Sequence, residues 1–234
     1  MSVQLTTVPD PARSGVGAVM VSTWRLMTPA RQRAAVEAVS RVWRAHAWPD
    51  AGLLSYSVAV GEDGETLLNY TQWSDAEVHR RFARASRDER VAEIDAAVPD
   101  IERLGLGRYE PYRSAPRTPG DTRVPGCIVI VEVEFDDSDP ANRTRWVDAV
   151  LEALATDSGL PPGGISAHFH LSTDGTRVLN YAEWESAEAH VAALCAPGEG
   201  VGGPTEQWAR VRSHPGLKGS SVKRYTPAFC LGEG

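Results

Sequence analysis

The sequence predicts an α+β fold: two ferredoxin-like β-α-β-β-α-β repeats packed sheet to sheet as a pseudo-dimeric α+β barrel. The first observation is an internal duplication, because residues 63–79 return 111 positions later as 174–190 with nine of seventeen positions identical. The same offset also pairs Gly15 with Gly126, which indicates two copies of one unit. The second observation is the periodicity of apolar residues and the position of turn signals, which predict a strand, a helix, a hairpin, a helix and a strand in each copy. The third is length, since 234 residues allow roughly 100 residues for each copy.

The duplication divides the chain into four segments. The region between the copies is rich in proline, arginine and glycine, which is typical of a linker. We expect an N-terminal tail at 1–14, a first repeat at 15–112, a linker at 113–125 and a second repeat at 126–234.

Each repeat begins with a strand and a helix. Residues 17–26 form an apolar, β-branched run, and Thr28-Pro29 then supplies an N-cap with proline at the first helical position. The helix is predicted from about residue 30 to 46, with an apolar stripe that faces a sheet. In the second repeat, 128–135 is the predicted strand and Asp139-Pro140 the predicted cap.

A hairpin follows in each repeat. In the first, alternating residues over 54–60 and 66–73 flank an Asp63-Gly64 turn. We expect Tyr56 and Tyr70 to lie on the sheet face that the helices leave bare. A lone sheet would expose too much apolar surface there, so the two repeats are predicted to cover each other within one chain.

A single second helix is expected after each hairpin. Ser74 to Glu77 has the form of a capping box, and Ser186 is the corresponding cap in the second repeat. The repeats differ in length only beyond the second copy of this helix. There, 197–204 is rich in glycine and proline and predicts a loop.

Composition and charge narrow the function classes. The chain has 24 basic and 31 acidic residues, a net charge of −7, which argues against nucleic acid as a partner. No apolar stretch approaches the roughly 20 residues of a membrane span, and the first 13 residues lack a signal-peptide core. We therefore expect a cytoplasmic protein without a membrane partner. Cys127, Cys195 and Cys230 have no ligand-type spacing, so neither a disulfide nor a metal is predicted.

Strand periodicity predicts a cavity between the sheet and the helices of the second repeat. Asn180 and Trp184 share one face of their strand, and His170 on the preceding strand is expected to face the same way. His190 begins the helical layer above them. An imidazole, an amide and an indole N–H on apolar walls are typical of a small-molecule site.

The first repeat carries a reduced version of this set. Asn69, Trp73 and His79 occupy the matching positions, but Ala59 stands where the second repeat has its strand histidine. We therefore expect catalysis by His170, Asn180, Trp184 and His190. The residues expected to bind substrate are Asn69, Trp73, His79, His168, Arg210 and Arg212. A structural interpretation stays open for each, as core plugs for the tryptophans and solvated positions for the helical histidines.

The motif Asn-Tyr-x-x-Trp-x-(Ser/Asp)-x-Glu, at 69–77 and again at 180–188, resembles the antibiotic biosynthesis monooxygenase family of dimeric α+β barrels. The resemblance covers nearly the whole chain and implies a tandem fusion. Cofactor-free members of that family oxidise phenolic or anthrone-type polyketide intermediates to quinones with O2. They use an asparagine, a tryptophan, a strand histidine and a helical tyrosine, and the last of these is His79 or His190 here. An arginine also contributes in relatives, for which Arg210 or Arg212 is the candidate.

The resemblance implies a cofactor-independent monooxygenase that oxidises an aromatic polyketide or similar phenolic substrate with O2, as in antibiotic biosynthesis. His170 or His190 is the expected base, and Asn180 and Trp184 are the expected donors to the developing oxyanion. Two alternatives stay open: a flavin-assisted oxygenase that takes reduced flavin as a co-substrate, and a non-catalytic or cyclase-like small-molecule-binding protein. The expected assembly is an intrachain pseudo-dimer, and a further homodimer is left open.

Overall fold

The computed structural model describes residues 3–49, 52–136, 139–157, 159–196 and 201–233. Within these residues the chain forms nine strands and six helices. The strands are β1 (Val3–Thr6), β2 (Ala18–Arg25), β3 (Leu53–Gly61), β4 (Thr66–Trp73), β5 (Glu102–Ala115), β6 (Cys127–Phe135), β7 (Gly164–Ser172), β8 (Arg177–Trp184) and β9 (Leu217–Glu233). The helices are α1 (Pro29–Ala45), α2 (Ala76–Ala85), α3 (Arg87–Ala97), α4 (Asn142–Thr156), α5 (Ala187–Cys195) and α6 (Glu206–Arg212).

Two compact units divide these elements. Unit 1 comprises Met1–Tyr109 and Tyr225–Gly234, and unit 2 comprises Glu110–Arg224. The last strand therefore contributes to both units. The segment predicted as an N-terminal tail contains β1, which pairs with β9 in unit 1.

The predicted fold class is wrong. The strands do not form two separate ferredoxin-like sheets packed face to face as an α+β barrel. They belong to one closed antiparallel sheet, with the order β1-β9-β3-β4-β2-β5-β7-β8-β6 and a further pairing of β9 with β6. The cause is the length of β5 and β9, which have 14 and 17 residues. Such long strands offer successive backbone donors and acceptors to more than one partner, and side-chain periodicity carries no information about strand partners.

In unit 1 the β3–β4 hairpin and its partners form the floor of a cavity. β4 pairs with β2 on one side and with β3 on the other, so that Asn69 lies opposite Val58 and Thr71 opposite Tyr56. α1 begins as predicted, because the Thr28 hydroxyl accepts a hydrogen bond from the Arg31 amide at 3.3 Å. Its buried face packs into the core of this unit.

The single helix predicted after β4 is two helices, α2 and α3, which are separated at Ser86. α2 is capped by Asp75, whose carboxylate accepts from the Val78 amide at 2.9 Å, and not by Ser74 as the capping box predicted. Arg87 and Arg90, in the first turn of α3, line the cavity of unit 1.

Unit 2 repeats this order with two local differences. α4 begins at Asn142, three residues after the predicted Asp139 cap, while Asp139 accepts from the Ala141 amide at 2.9 Å. Ser186 caps α5 as predicted and accepts from the Ala189 amide at 3.1 Å. Of the predicted 197–204 loop, residues 197–200 lie outside the described residues, and the remainder precedes α6.

The 111-residue offset does not hold in the first strand of each unit. Asn69 pairs with Ser22 and Asn180 pairs with Val131, an offset of 109 between the two first strands. The structural counterpart of Gly126 is therefore Gly17 and not Gly15. At each of these two glycines an added Cβ would overlap a carbonyl oxygen, that of Ser74 or Glu185, so the close approach requires glycine.

No helix in the described part of the chain is both long and apolar enough to cross a lipid bilayer.

Candidate functional site

Each unit contains a cavity between one face of its strands and its helices. The cavity of unit 1 has a volume of about 310 Å³, and that of unit 2 about 170 Å³. Each is lined by an asparagine and a tryptophan of the return strand and by a histidine of the following helix. Asn69, Trp73 and His79 thus lie together in unit 1, and the same three residue types lie together in unit 2.

The two strand histidines do not lie in the cavity of unit 2. β7 and β8 pair so that Phe169 is opposite Asn180, while His168 is opposite Tyr181 and His170 is opposite Leu179. Because directly opposed residues share a face, Phe169 lines the cavity, and both histidines belong to the other face. The expectation that His170 joins Asn180 and Trp184 is therefore wrong, because alternation within β7 does not reveal its register against β8.

His168, which does not line the cavity, belongs to a chain of hydrogen bonds. Its Nδ1 lies 2.9 Å from Ser114 Oγ and its Nε2 lies 3.0 Å from Ser166 Oγ. Ser166 donates to Glu183 at 2.7 Å, and Arg117 donates to the same carboxylate at 3.3 Å. Both ring nitrogens thus have protein partners, as expected of a buried structural histidine.

In unit 1 the side-chain amide of Asn69 is held in one orientation. The Tyr56 hydroxyl donates to Asn69 Oδ1 at 2.7 Å, so the amide nitrogen takes the other position. Asn69 is 4% exposed, and its Nδ2 has no hydrogen-bond partner among the described residues. Burial raises the pKa of Tyr56, so this hydroxyl stays a donor over the physiological pH range. The result is a buried N–H donor at the cavity wall without a partner.

Tyr56 therefore lies on the helical side of the sheet, whereas the sequence placed it on the bare face. Its ring stacks on Trp43 of α1, with centroids 4.1 Å apart. Tyr70, the neighbour of Thr71 in β4, lies on the opposite face of the hairpin and is 1% exposed.

The indole N–H of Trp73 has a partner within the protein, because it donates to Thr71 Oγ1 at 2.8 Å. The sequence predicted that Trp73 binds substrate, and the role of indole donor to the oxyanion was assigned to Trp184. The ring of Trp73 lies edge-on to His79, with centroids 5.1 Å apart. Trp73 thus forms a wall of the cavity and contacts the histidine. In unit 2, Ala182 replaces Thr71, so this hydroxyl acceptor has no counterpart there.

His79 is a neutral imidazole at neutral pH. Burial, reinforced by the positive charges of Arg108 and Arg87, lowers its pKa to about 4. Its Nδ1 is buried and has no partner among the described residues. The ring can therefore form a hydrogen bond with a bound ligand, but its low pKa makes it a weak base.

The equivalent histidine of unit 2 is already engaged. Arg224 Nε donates to His190 Nδ1 at 2.9 Å. Burial lowers the pKa of His190 to about 4, and the adjacent Arg224 adds to this effect. Asn180 Oδ1 is buried and has no partner among the described residues.

The charges of the two cavities also differ. Three arginines line the cavity of unit 1, namely Arg87, Arg90 and Arg103, and its described lining contains no aspartate or glutamate. The described lining of the unit 2 cavity contains no arginine, lysine, aspartate or glutamate. The sequence did not predict the arginines of α3 and β5, because no motif or repeat marks them.

The arginines that the sequence suggested lie elsewhere. Arg210 donates to Glu206 one turn earlier on α6 at 2.6 Å, and Arg212 donates to the carbonyls of Gly202 and Gly203. Neither side chain lines the cavity of unit 2.

A cluster of potential metal ligands lies outside both cavities. His46, Glu89 and Glu93 each place one ligand atom within 4.8 Å of the others. His46 Nε2 lies 2.6 Å from the Glu93 carboxylate, and both glutamates are exposed. A hydrogen bond at the protein surface accounts for this arrangement.

Comparison with known proteins identifies the fold. No family model matches the sequence, and no curated protein matches it. Among solved structures, an anthrone oxidase-like protein is similar over 99% of this chain and 97% of its own, with a TM-score of 0.68 and 18% identity. A provisionally named monooxygenase of Fusobacterium nucleatum is similar over 95% and 97%, with a TM-score of 0.59 and 10% identity. A mutant chlorite dismutase from Candidatus Nitrospira defluvii is similar over 92% and 93%, with a TM-score of 0.54 and 13% identity. At such identities the similarity is one of fold, and that fold occurs in proteins with different activities.

Proposed function

We propose that this protein is a monooxygenase that oxidises a phenolic polycyclic aromatic compound with O2 and without a bound cofactor, in the cavity of unit 1. The observation that carries the proposal is that Asn69 Nδ2 and His79 Nδ1 are both buried, have no hydrogen-bond partner among the described residues, and belong to residues that line one aromatic cavity. A buried polar group without a partner is costly, and a ligand that hydrogen-bonds to both removes that cost.

The walls of this cavity suit a planar aromatic substrate. Trp24, Trp43, Trp73 and Phe82 all line it, and about 310 Å³ is within the range of small-molecule sites. The similarity in fold to an anthrone oxidase-like protein supports the same class of substrate.

The chemistry requires the protein to favour the anionic form of the substrate and to orient it. An electron-rich phenolate passes one electron to O2 far more readily than the neutral phenol does. Asn69 Nδ2 would donate to the phenolate oxygen, and the positive charges of Arg87, Arg90 and Arg103 favour that anion. A substrate anion beside His79 would raise the pKa of the imidazole, so His79 would take up the phenol proton as the anion forms.

The protein supplies its own matched controls, because each unit has an asparagine and a histidine at equivalent positions. We would measure O2 uptake with a hydroxylated anthrone for Asn69→Ala and His79→Ala, and in parallel for Asn180→Ala and His190→Ala. Removing one preorganised donor to a developing oxyanion lowers kcat by about 10²–10³. We expect a loss of this size for Asn69→Ala and less than a twofold change for Asn180→Ala.

Other outcomes have distinct meanings. A loss of O2 uptake confined to Asn180→Ala and His190→Ala would show that the active site lies in unit 2, as the sequence predicted. O2 uptake that depends on added reduced flavin would replace the cofactor-free reaction with a flavin-assisted one. The absence of uptake under both conditions, across a panel of hydroxylated polycyclic aromatics, would refute an oxygenase and favour a binding protein.

A further inference from the structure

The cavity of unit 1 contains a buried cation that no described carboxylate contacts. Arg90 is 5% exposed. Its guanidinium donates to the carbonyls of Ser86 at 2.9 Å and Ala47 at 2.7 Å, and its Nε has no partner among the described residues. The bonds to the two carbonyls use two of the five donors of a guanidinium.

Aromatic rings hold this guanidinium in place. Its central carbon lies 5.1 Å from the ring centroid of Trp43 and 5.5 Å from that of Phe82. Rings attract a cation but do not neutralise it. Glu89 and Glu93 on the same helix act on Arg90 at longer range, yet burial outweighs them and lowers the pKa of the guanidinium. The positive charge is therefore only partly compensated.

Two further arginines, Arg103 and Arg87, line the cavity, and together with Arg90 they form its positive wall. Arg103 lies over Trp24, with 4.8 Å from its central carbon to the ring centroid, and is paired with Asp95 at 2.7 Å. Its Nε is buried and has no partner among the described residues. Arg87 is exposed and paired with Asp88 at 3.3 Å.

Contacts connect the positive wall to the proposed reacting end. Arg90 lies over Trp43, Trp43 stacks on Tyr56, and Tyr56 donates to Asn69. A chain of contacts thus joins the guanidinium to the amide donor, and both residues line the same cavity. A ligand that fills the cavity would contact both.

We propose that the unit 1 cavity selects planar aromatic compounds that carry a carboxylate, with Arg90 as its principal partner. The inference rests on the proposed function, because it names the class of substrate for that site. A carboxylate offers the charge and the paired acceptors that a guanidinium recognises. A compound of equal shape without charge would leave the buried guanidinium uncompensated. The described lining of the unit 2 cavity has no arginine or lysine, so we expect no such discrimination there.

Binding of two ligands of matched shape tests the proposal. The probes are anthracene-2-carboxylate and anthracene-2-carboxamide, with dissociation constants measured by isothermal titration calorimetry. We expect the wild-type protein to bind the carboxylate at least tenfold more tightly. Arg90→Gln should abolish that preference mainly by weakening the carboxylate complex, and Arg90→Lys should keep part of it.

Two further variants distinguish the loss of a contact with the carboxylate from a general loss of structure. Arg33→Gln removes one positive charge from an exposed position of α1 that does not line the cavity, and it should leave the preference unchanged. Arg87→Gln alters an exposed lining residue without disturbing the buried core, and it should lower the preference severalfold even if Arg90→Gln fails to fold.

Several results would overturn the proposal: equal affinity of the wild-type protein for both probes, no binding of either, or an equal weakening of both by Arg90→Gln. The assay involves no turnover, so it is independent of the oxygenase. A protein that selects the carboxylate but consumes no O2 with any hydroxylated substrate would refute the proposed reaction and leave the ligand class standing.

Discussion

The hydrogen bond between Tyr56 and Asn69 offers the sharpest single test of the candidate site. Tyr56→Phe removes only the hydroxyl that donates to Asn69 Oδ1 at 2.7 Å, and it leaves the ring that stacks on Trp43 at 4.1 Å. The buried carbonyl oxygen of Asn69 then loses its donor. The amide is also released from the orientation that presents Nδ2 to the cavity.

The expected magnitudes follow from these two consequences. Leaving a buried acceptor unpaired costs about 1–3 kcal/mol, so the free energy of unfolding should fall by that amount. The amide still presents its nitrogen part of the time, so the effect on activity should be smaller than that of deleting it. We expect kcat/KM to fall about tenfold, which corresponds to roughly 1.4 kcal/mol of transition-state stabilisation.

A double-mutant cycle measures the coupling directly. Tyr56→Phe, Asn69→Ala and the double variant would be compared by urea denaturation and by O2 uptake. Side chains in direct contact show coupling energies of about 0.5–3 kcal/mol, whereas independent sites add to within about 0.5 kcal/mol. Ser57→Ala is the control, because it removes a buried hydroxyl that donates to the Tyr70 carbonyl at 2.9 Å, one position along β3. Additive stabilities, or a Tyr56→Phe variant with full activity, would refute the role assigned to this bond.

Two further predictions concern stability. Acidification should destabilise the fold between about pH 6.5 and 4, because burial holds the pKa of His168 at about 4 while an unfolded histidine titrates near 6.5. The unfolded chain binds the proton first as the pH falls through this window, so His168→Gln should flatten the dependence of Tm on pH, and an unchanged profile would contradict this reasoning. Gly17→Ala and Gly126→Ala should each lower the free energy of unfolding by about 1–3 kcal/mol, because the added methyl group overlaps a backbone carbonyl. Gly219→Ala, with open space around it, is the control in urea denaturation, and equal stabilities for all three variants would count against the explanation.

Much of the local structure could be predicted from the residues. The strand at the start of each repeat, the hairpin around Asp63-Gly64 and the Thr28 cap of α1 depend on interactions between neighbours in sequence, and the structure contains all three. The break between α2 and α3 was not predicted, because a single serine also occurs within helices and Ser86 makes no side-chain cap hydrogen bond. Arg90, which lines the cavity, belongs to the second of these helices.

The residues of the candidate site were likewise predicted only in part. The duplication identified Asn69, Trp73 and His79 as candidate site residues, and all three line the cavity of unit 1. The preference for the second repeat depended on His170, whose side of the sheet is set by the register of β7 against β8. The sequence did not predict that Tyr56 and the three arginines line the cavity. Neither their spacing nor repetition between the copies distinguishes them from residues of the core or the surface.

By itself, the sequence determined the order of the elements and the recurrence of one amide, indole and imidazole set, because periodicity, capping and duplication are properties of residues near one another in the chain. Only the tertiary structure decided the strand partners of β5 and β9, the faces of the hairpin, and the charge and free donors of each cavity. These depend on hydrogen bonds and contacts between residues far apart in sequence, such as Tyr56 with Asn69 and Arg224 with His190, which local patterns do not encode.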